Sequence, residues 1–290
     1  MGPEAHGLCV AVTGANGYVG GAVAGALADA GHRVVALTRT PDPRFEHREY
    51  ALAAPLSGDL LAGVDVVVHC AYDWAPTAWD EIVRVNIEGT RALVDASLAA
   101  GARFILISSV SAFEGTRQKY GRAKLACERL TLAADGTVVR LGTVYGGANG
   151  GMFGLLLRLA RLPVIPVIAA NSRQALIRLD TVCAALVALV AAEHVHGQLI
   201  GLASTPTVEL GELLRTISAG RGKPARIVPV PWLPIYALLR LAERVTTALP
   251  LRSETILGLA RPAPALAGDE LWQTLGVQID PLDVNGGPWV

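Results

Sequence analysis

The sequence predicts a doubly wound α/β fold, a parallel sheet covered on both faces by helices, with a small C-terminal lobe. Three observations predict it. Short runs rich in Val, Ile and Leu recur along the first 140 residues without polar alternation, as strands buried on both faces do. Longer helix-like stretches separate these runs. The first run ends in a glycine-rich turn that opens directly into the first helical stretch.

The strand runs are Leu8–Thr13, Arg33–Thr38, Asp65–Cys70, Arg103–Ser109 and Thr137–Leu141. Helices are expected at Tyr18–Ala30, Ala78–Ala100 and Gln118–Ala134. The stretch Thr40–Ser57 carries Pro41, Pro43 and Pro55 and reads as loop with at most one short strand. After Gly146 the pattern loosens, with Gly146, Gly147, Gly150 and Gly151 in quick succession. A fully apolar helix is expected at Thr181–Ala192, a strand at Gln198–Leu202, and helices at Val208–Ala219 and Pro234–Ala248. Residues 1–145 therefore read as the sheet-forming core, with 176–202 returning to it, and 146–175 and 203–290 as a smaller substrate-binding lobe.

Composition narrows the function classes. The 25 basic and 25 acidic residues cancel, so nothing marks nucleic acid or an acidic membrane face as a partner. Cys9, Cys70, Cys127 and Cys183 lack metal-ligand spacing, and no metal site is expected. The start, Met-Gly-Pro-Glu-Ala-His, has no basic segment followed by an apolar one, so a reducing, cytoplasmic setting is expected. The apolar stretch Gly154–Ala170 is broken by Arg158, Arg161, Pro163 and Pro166. Trp232–Leu251 is broken by Arg240, Glu243 and Arg244, so no membrane span is expected.

Two motifs carry the chemistry. The first is Thr13-Gly14-Ala15-Asn16-Gly17-Tyr18-Val19-Gly20, with glycines at G-x-x-G-x-x-G spacing between a strand and a helix. Gly14 permits the tight turn, Gly17 lets the backbone approach a pyrophosphate at the helix N-terminus, and Gly20 lets the helix pack closely on the sheet. A plain structural turn is the bland alternative. The second strand ends Leu37-Thr38-Arg39, without the acid that would take the ribose 2′-OH of NAD; the next acid, Asp42, lies between two prolines. Arg39 suits a 2′-phosphate, with Arg44 as a second cation, which favours NADP and leaves NAD as the alternative. Otherwise Arg39 is a solvent-facing strand-end residue.

The second motif is Tyr120-Gly121-Arg122-Ala123-Lys124. Positions i and i+4 share a helix face, and a nearby ammonium favours a phenolate and lowers the phenol pKa. Such a phenol can exchange a proton with a substrate oxygen. With six Tyr and three Lys in the chain, a chance Tyr-x-x-x-Lys is expected only about 0.06 times. A surface i,i+4 pair is the alternative.

These segments resemble the extended short-chain dehydrogenase/reductases, the NAD(P)-dependent epimerase/dehydratase family. TGANGYVG is similar to that family's phosphate loop, and Tyr120 and Lys124 fall one strand after the third helix, where the family carries its pair. The resemblance implies a Rossmann-type core. It places Asn16, Gly17, Tyr18 and Val19 along the cofactor phosphates, and the backbone of His69-Cys70-Ala71 along the ribose. It also implies a serine near the end of Arg103–Ser109 that hydrogen-bonds the reacting oxygen. Alignment from the strand selects Ser109; counting back from Gly115 brings in Val110 or Ser111. The segment Val85-Asn86-Ile87-Glu88-Gly89-Thr90 resembles the family's VNxxGT helix, with Asn86 as a structural tie. Ile177-Arg178-Leu179-Asp180 resembles another family segment, with Arg178 where the family has His.

The resemblance implies hydride transfer to or from a nicotinamide, with Tyr120 moving the proton, Lys124 binding the nicotinamide ribose and supporting Tyr120, and Ser109 orienting the carbonyl. Arg39 favours an NADP-dependent carbonyl reductase or alcohol dehydrogenase acting on a keto or hydroxy compound. An NAD-dependent NDP-sugar epimerase or dehydratase is the second reading, and a non-catalytic dinucleotide-binding protein the third. Met152, Phe153, Trp232 and Tyr236 are candidates for an apolar pocket wall, and Arg173 for a cation facing an anionic substrate. A homodimer through Ala78–Ala100 and Gln118–Ala134 is expected from the same resemblance.

Overall fold

A computed structural model describes residues 7–148, 150–222, 224–243, 245–246, 253, 256 and 269–282. Met1–His6, and the end of the helix expected at Pro234–Ala248, lie outside the described residues.

The chain begins β1 (Cys9–Thr13), α1 (Tyr18–Asp29), β2 (Arg33–Thr38), β3 (Glu46–Glu49) and β4 (Val66–His69). It continues through α2 (Trp79–Ile82), a wide π turn at Val83–Ile87, α3 (Glu88–Ala100), β5 (Arg103–Ser109), α4 (Lys119–Ala133) and β6 (Thr137–Leu141). Much later comes β11 (Leu199–Leu202). These strands make one seven-stranded sheet in the order β11-β6-β5-β4-β1-β2-β3, and every pair is parallel. β1 is buried along its whole length, which is why it shows no polar alternation. β3, Glu-His-Arg-Glu, is the charged edge strand, and Arg33 on β2 reaches Glu46 at 2.7 Å.

Each face of the sheet has its own apolar layer. Val23, Ala24 and Leu27 of α1 recur at helical spacing and pack with Val10 and Val12 of β1. The same layer holds Val182, Ala185, Leu186 and Leu189 of α6 (Leu179–Ala191). On the other face, Leu93 and Val94 of α3 and Ala123 and Cys127 of α4 cover Ala11, Val67 and Leu106. α3 stops at Gly101, whose φ of +67° is the left-handed cap that glycine accepts.

Between β6 and β11 the chain leaves the sheet. β7 (Thr143–Tyr145) leads into α5 (Gly151–Leu159), β8 (Val164–Ile168) and β9 (Arg173–Gln174). β10 (Leu176–Arg178) then returns to pair parallel with β7. After β11 come β12 (Val208–Glu209), α7 (Leu210–Gly220), β13 (Arg226–Val230) and α8 (Trp232–Ala242). β13 pairs parallel with β8, and β12 antiparallel with β9. Phe153, Leu156, Ile165, Val167, Leu213 and Ile217 make a third apolar cluster here. All four cysteines are thiols. Among the described residues, no helix is long and apolar enough to cross a membrane, and no group of three or more His, Cys, Asp or Glu is placed to hold a metal.

Candidate active site

The site forms where the strand order reverses. β1 lies between β2 and β4, and the carboxyl ends of β1 and β4 open a crevice there. Gly14 leaves β1 with φ of +67°, and a Cβ at that position would come within 3.2 Å of the Ala71 backbone. A Cβ at Gly20 would lie 2.3 Å from the Gly14 carbonyl oxygen. Close backbone approach therefore demands glycine at both positions. α1 starts at Gly17 with no side-chain cap, the kind of helix N-terminus that receives a phosphate. These residues fit a dinucleotide.

The neighbouring residues are committed to different degrees. Asn16 is exposed, and its Nδ2 donates to the Thr40 carbonyl at 2.8 Å and to Thr40 Oγ1 at 3.0 Å, joining the turns after β1 and β2. Tyr18 donates its phenol to the Gly146 carbonyl at 2.7 Å, and burial pushes its pKa up to about 12. Val19 is half-buried beside the layer on α1. Of the two cations expected near a 2′-phosphate, Arg39 is exposed with no partner among the described residues. Arg44 is held by Asp42 at 2.7 Å, and its hydrogen bonds keep the Asp42 carboxyl below its usual range.

The His69 side chain ties neighbouring segments together. Its buried ring lies between Thr13 Oγ1, 2.8 Å from Nδ1, and Thr90 Oγ1, 3.1 Å from Nε2. The Thr90 hydroxyl donates to the Asn86 carbonyl at 2.7 Å, so His69 Nε2 carries the proton and donates to Thr90. Thr13 then donates to Nδ1 and accepts the N–H groups of Cys70 and Ala71 at 3.0 and 3.1 Å. Burial first, and the Lys124 ammonium second, push the His69 pKa down to about 3, which keeps the ring neutral. Burial also pushes the Cys70 thiol up to about 12. Asn86 is buried and clamps the Asp73 backbone from both sides. Asp73 N–H donates to its Oδ1 at 2.8 Å, and its Nδ2 donates to the Asp73 carbonyl at 3.1 Å.

Ser109, Tyr120 and Lys124 come together where β5 ends against α4. Ser109 Oγ accepts the Ser111 N–H at 3.2 Å, and the Ser109 hydroxyl acts to lower the pKa of the Tyr120 phenol. Lys124 is buried, and its Nζ donates to the Ile107 carbonyl at 2.8 Å. Burial lowers its pKa. The expected depression of the phenol is not met. Burial pushes Tyr120 up to about 12, and the Ser109 hydrogen bond opposes this only in part. The Lys124 ammonium is turned toward Ile107 and leaves the phenol to its desolvated surroundings.

Other expectations shift too. Phe153 is fully buried in the third cluster, so it is core rather than pocket wall; Met152 is exposed. Trp232 and Tyr236 meet edge to face at 6.1 Å on α8, which buries no residue. Arg173 donates to Thr207 Oγ1 at 2.8 Å and to the Thr207 carbonyl at 2.7 Å, and Arg178 pairs with Asp180 at 2.9 Å. The protein's own oxygens engage both guanidiniums.

Two groups beside the site escaped the sequence reading. Behind Lys124, one turn along α4, buried Glu128 accepts from Ser108 Oγ at 2.5 Å and pairs with Arg140 at 2.6 Å. In front, Tyr72 and Trp74 crowd Tyr120 at ring-centroid distances of 4.9 and 4.7 Å. The Tyr72-Asp73-Trp74 triplet directly follows His69-Cys70-Ala71, and that adjacency was the available signal.

Residues 10–194 match the NAD dependent epimerase/dehydratase family. The chain belongs to that family. As a member of the extended short-chain dehydrogenase/reductases, it resembles the ceramide reductase of Caulobacter vibrioides (strain NA1000 / CB15N), 37% identical over 198 residues. That alignment covers 65% of this chain and 62% of the relative, so the chain spans less than two thirds of the relative's length. The 2'-dehydrokanamycin reductase of Streptomyces kanamyceticus is 32% identical over 257 residues, covering 79% of this chain and 71% of the relative. A short-chain dehydrogenase/reductase superfamily protein from Agrobacterium tumefaciens, solved with bound NAD, superposes with a TM-score of 0.71 at 20% identity. It covers 96% of this family member and 94% of that chain.

Proposed function

We propose that the protein is an NADPH-dependent carbonyl reductase in which Tyr120 gives the proton, Ser109 orients the carbonyl oxygen and Lys124 stands behind both. The observation that carries this reading is the placement of Ser109, the last residue of β5, where it acts on the Tyr120 phenol. A phenol pushed up to about 12 keeps its proton at neutral pH, which suits a donor to a reduced carbonyl. A bound nicotinamide cofactor would supply the hydride. Gly14, Asn16, Gly17 and the first turn of α1 would hold its phosphates, and Arg39 its 2′-phosphate. Residues 146–175 and 203–243 would close over the substrate, whereas Trp272 and Val277 pack in the apolar layer of the sheet and Trp272 Nε1 donates to the Gly201 carbonyl at 2.6 Å.

The relatives named ceramide reductase and 2'-dehydrokanamycin reductase support reduction. The family's description and a structural neighbour titled UDP-N-acetylglucosamine 4-epimerase, from Bacillus cereus, favour a second reading, an NAD-dependent sugar epimerase or dehydratase. The engagement of Arg173 with Thr207 and of Arg178 with Asp180 weighs against it, since a nucleotide diphosphate calls for available cations. The decisive experiment follows NADPH consumption with carbonyl substrates in wild type and Tyr120→Phe. Turnover should vanish in the variant while NADPH affinity stays within about twofold, because the ring remains and only the proton donor is lost. Undiminished turnover in Tyr120→Phe would remove the phenol from the mechanism. Tightly bound NAD released from the purified protein would favour the epimerase.

A further inference from the structure

The helix that follows β13 presents its apolar side chains to solvent. α8 buries none of its residues. Leu233, Leu238 and Leu241 are 62%, 66% and 60% exposed, and Val245, just past the helix, is 87% exposed. With Ala237, which is exposed too, they recur at helical spacing and form one stripe along the outer side. The half-buried Trp232, Ile235, Tyr236 and Leu239 take the inner side. A single exposed leucine is ordinary, but several aligned on one helix mark a contact surface.

The chain beyond α8 contacts the helix away from this stripe. Ser253 donates its N–H and its hydroxyl to the Glu243 carboxylate, both at 2.7 Å. Glu243 lies two positions from Leu241 and so on the opposite side of the helix turn. β13, joined to α8 through Pro231, continues the apolar exposure. Its register with β8 sets Val228 beside Pro166 and Arg226 beside Val164, all four exposed.

The cancelled charge of the whole chain conceals a bias in this lobe. Residues 146–175 and 203–243 hold eight basic side chains against three acidic ones. Arg240 is exposed on α8, three residues from Ala237 and thus on the flank of the stripe. Arg158, Arg161 and Arg226 are exposed as well. Leucines framed by cations match the boundary of an anionic bilayer, where acyl chains take up the apolar groups and phosphates the guanidiniums. A second copy of the chain would instead bring a second set of the same cations to the contact.

We infer that the outer side of α8 docks on an anionic lipid surface, with Leu233, Leu238 and Leu241 inserted among the acyl chains and Arg240 at the headgroup phosphates. α8 has eleven residues, whereas a spanning helix takes about 20, so it lies along the surface. This docking is independent of the reaction proposed above.

The test sediments the full chain with vesicles of phosphatidylcholine alone and with vesicles carrying about 30% phosphatidylglycerol. Wild type should bind the anionic vesicles at least about tenfold more tightly, and added salt should weaken that binding. Leu238→Glu should lose about tenfold or more in affinity for them, and Arg240→Gln about fivefold. Leu98→Glu, at a comparably exposed leucine on α3, should stay within about twofold. Equal binding to both kinds of vesicle would overturn the inference, as would undiminished binding by Leu238→Glu. An equal loss in Leu98→Glu and Leu238→Glu would overturn it too, since α8 would then have no special part. A wild-type dimer by light scattering that becomes a monomer in Leu238→Glu, without vesicle binding by either, would assign the stripe to a second copy and overturn the lipid docking.

Discussion

The packing around the seven-stranded sheet and the packing around β8 and β13 use the same aliphatic residues, yet they differ in what is mixed into them. On the sheet, buried polar side chains converge on the site. Thr13, His69, Thr90 and Asn86 form one connected chain, and Ser108, Glu128 and Arg140 form another. Around β8 and β13 the cluster of Phe153, Ile165, Val167 and Leu213 leads outward to α8, whose Leu233, Leu238 and Leu241 are exposed. Apolar area holds both regions together. In the sheet, hydrogen bonds between fixed partners additionally set where the loops after β1, β4 and β5 stand.

That contrast can be broken by substitution. The largest loss is expected for Glu128→Ala, which strands Arg140 and the Ser108 hydroxyl in the interior. Removing one partner of a buried pair costs about 3–5 kcal/mol, readable by urea denaturation. A loss below about 1 kcal/mol would mean that the sheet's polar ties matter no more than area. Next comes Gly20→Ala. The added methyl meets backbone that cannot yield, so a loss of about 3 kcal/mol is expected, together with dinucleotide binding. Gly25→Ala on the same helix, with nothing within 4 Å of the new Cβ, is the matched control and should be neutral or slightly stabilising.

Arg39→Ala should leave stability unchanged and weaken NADPH far more than NADH. A charge-assisted hydrogen bond contributes about 1.5–3 kcal/mol, or roughly 10- to 100-fold in Kd. Equal losses for the two cofactors, by fluorescence titration, would remove Arg39 from the 2′-phosphate. The smallest effect belongs to α8. Leu238 is 66% exposed, so Leu238→Ser should shift the unfolding free energy by no more than about 0.5 kcal/mol. A drop of about 2 kcal/mol would show that α8 is packed as firmly as the sheet's helices.

The two regions also differed in how far the sequence could be read. β2, β5 and β6 fall at the expected boundaries because strands buried on both faces must be continuously apolar. β8 and β13 escaped notice because Pro166 and Pro229 sit inside them, and proline argues against a strand. β7 and β10, three residues each, are too short to show a period. At the site, the glycine turn, Ser109, Tyr120 and Lys124 were visible because each is tied to a strand end or to helical spacing. The direction of the Tyr120 shift was not visible. It depends on desolvation by neighbours such as Tyr72 and Trp74, distant in sequence and close in space. The Thr207 partner of Arg173 was invisible for the same reason, whereas Asp42, two residues from Arg44, was within reach of the sequence and was missed.

The hydrogen bond from Tyr18 to the Gly146 carbonyl has a kinetic meaning. It joins residues 128 positions apart, at the first turn of α1 and just past β7. Closing so long a loop is entropically unfavourable until the intervening strands have already brought its ends together. The contact therefore belongs to the final stage of folding, after β1, β4, β5 and β6 are side by side. Interactions formed that late act mainly on the rate of unfolding. Tyr18 thus acts as a brake on the opening of the nucleotide loop and contributes little to how fast that loop first forms.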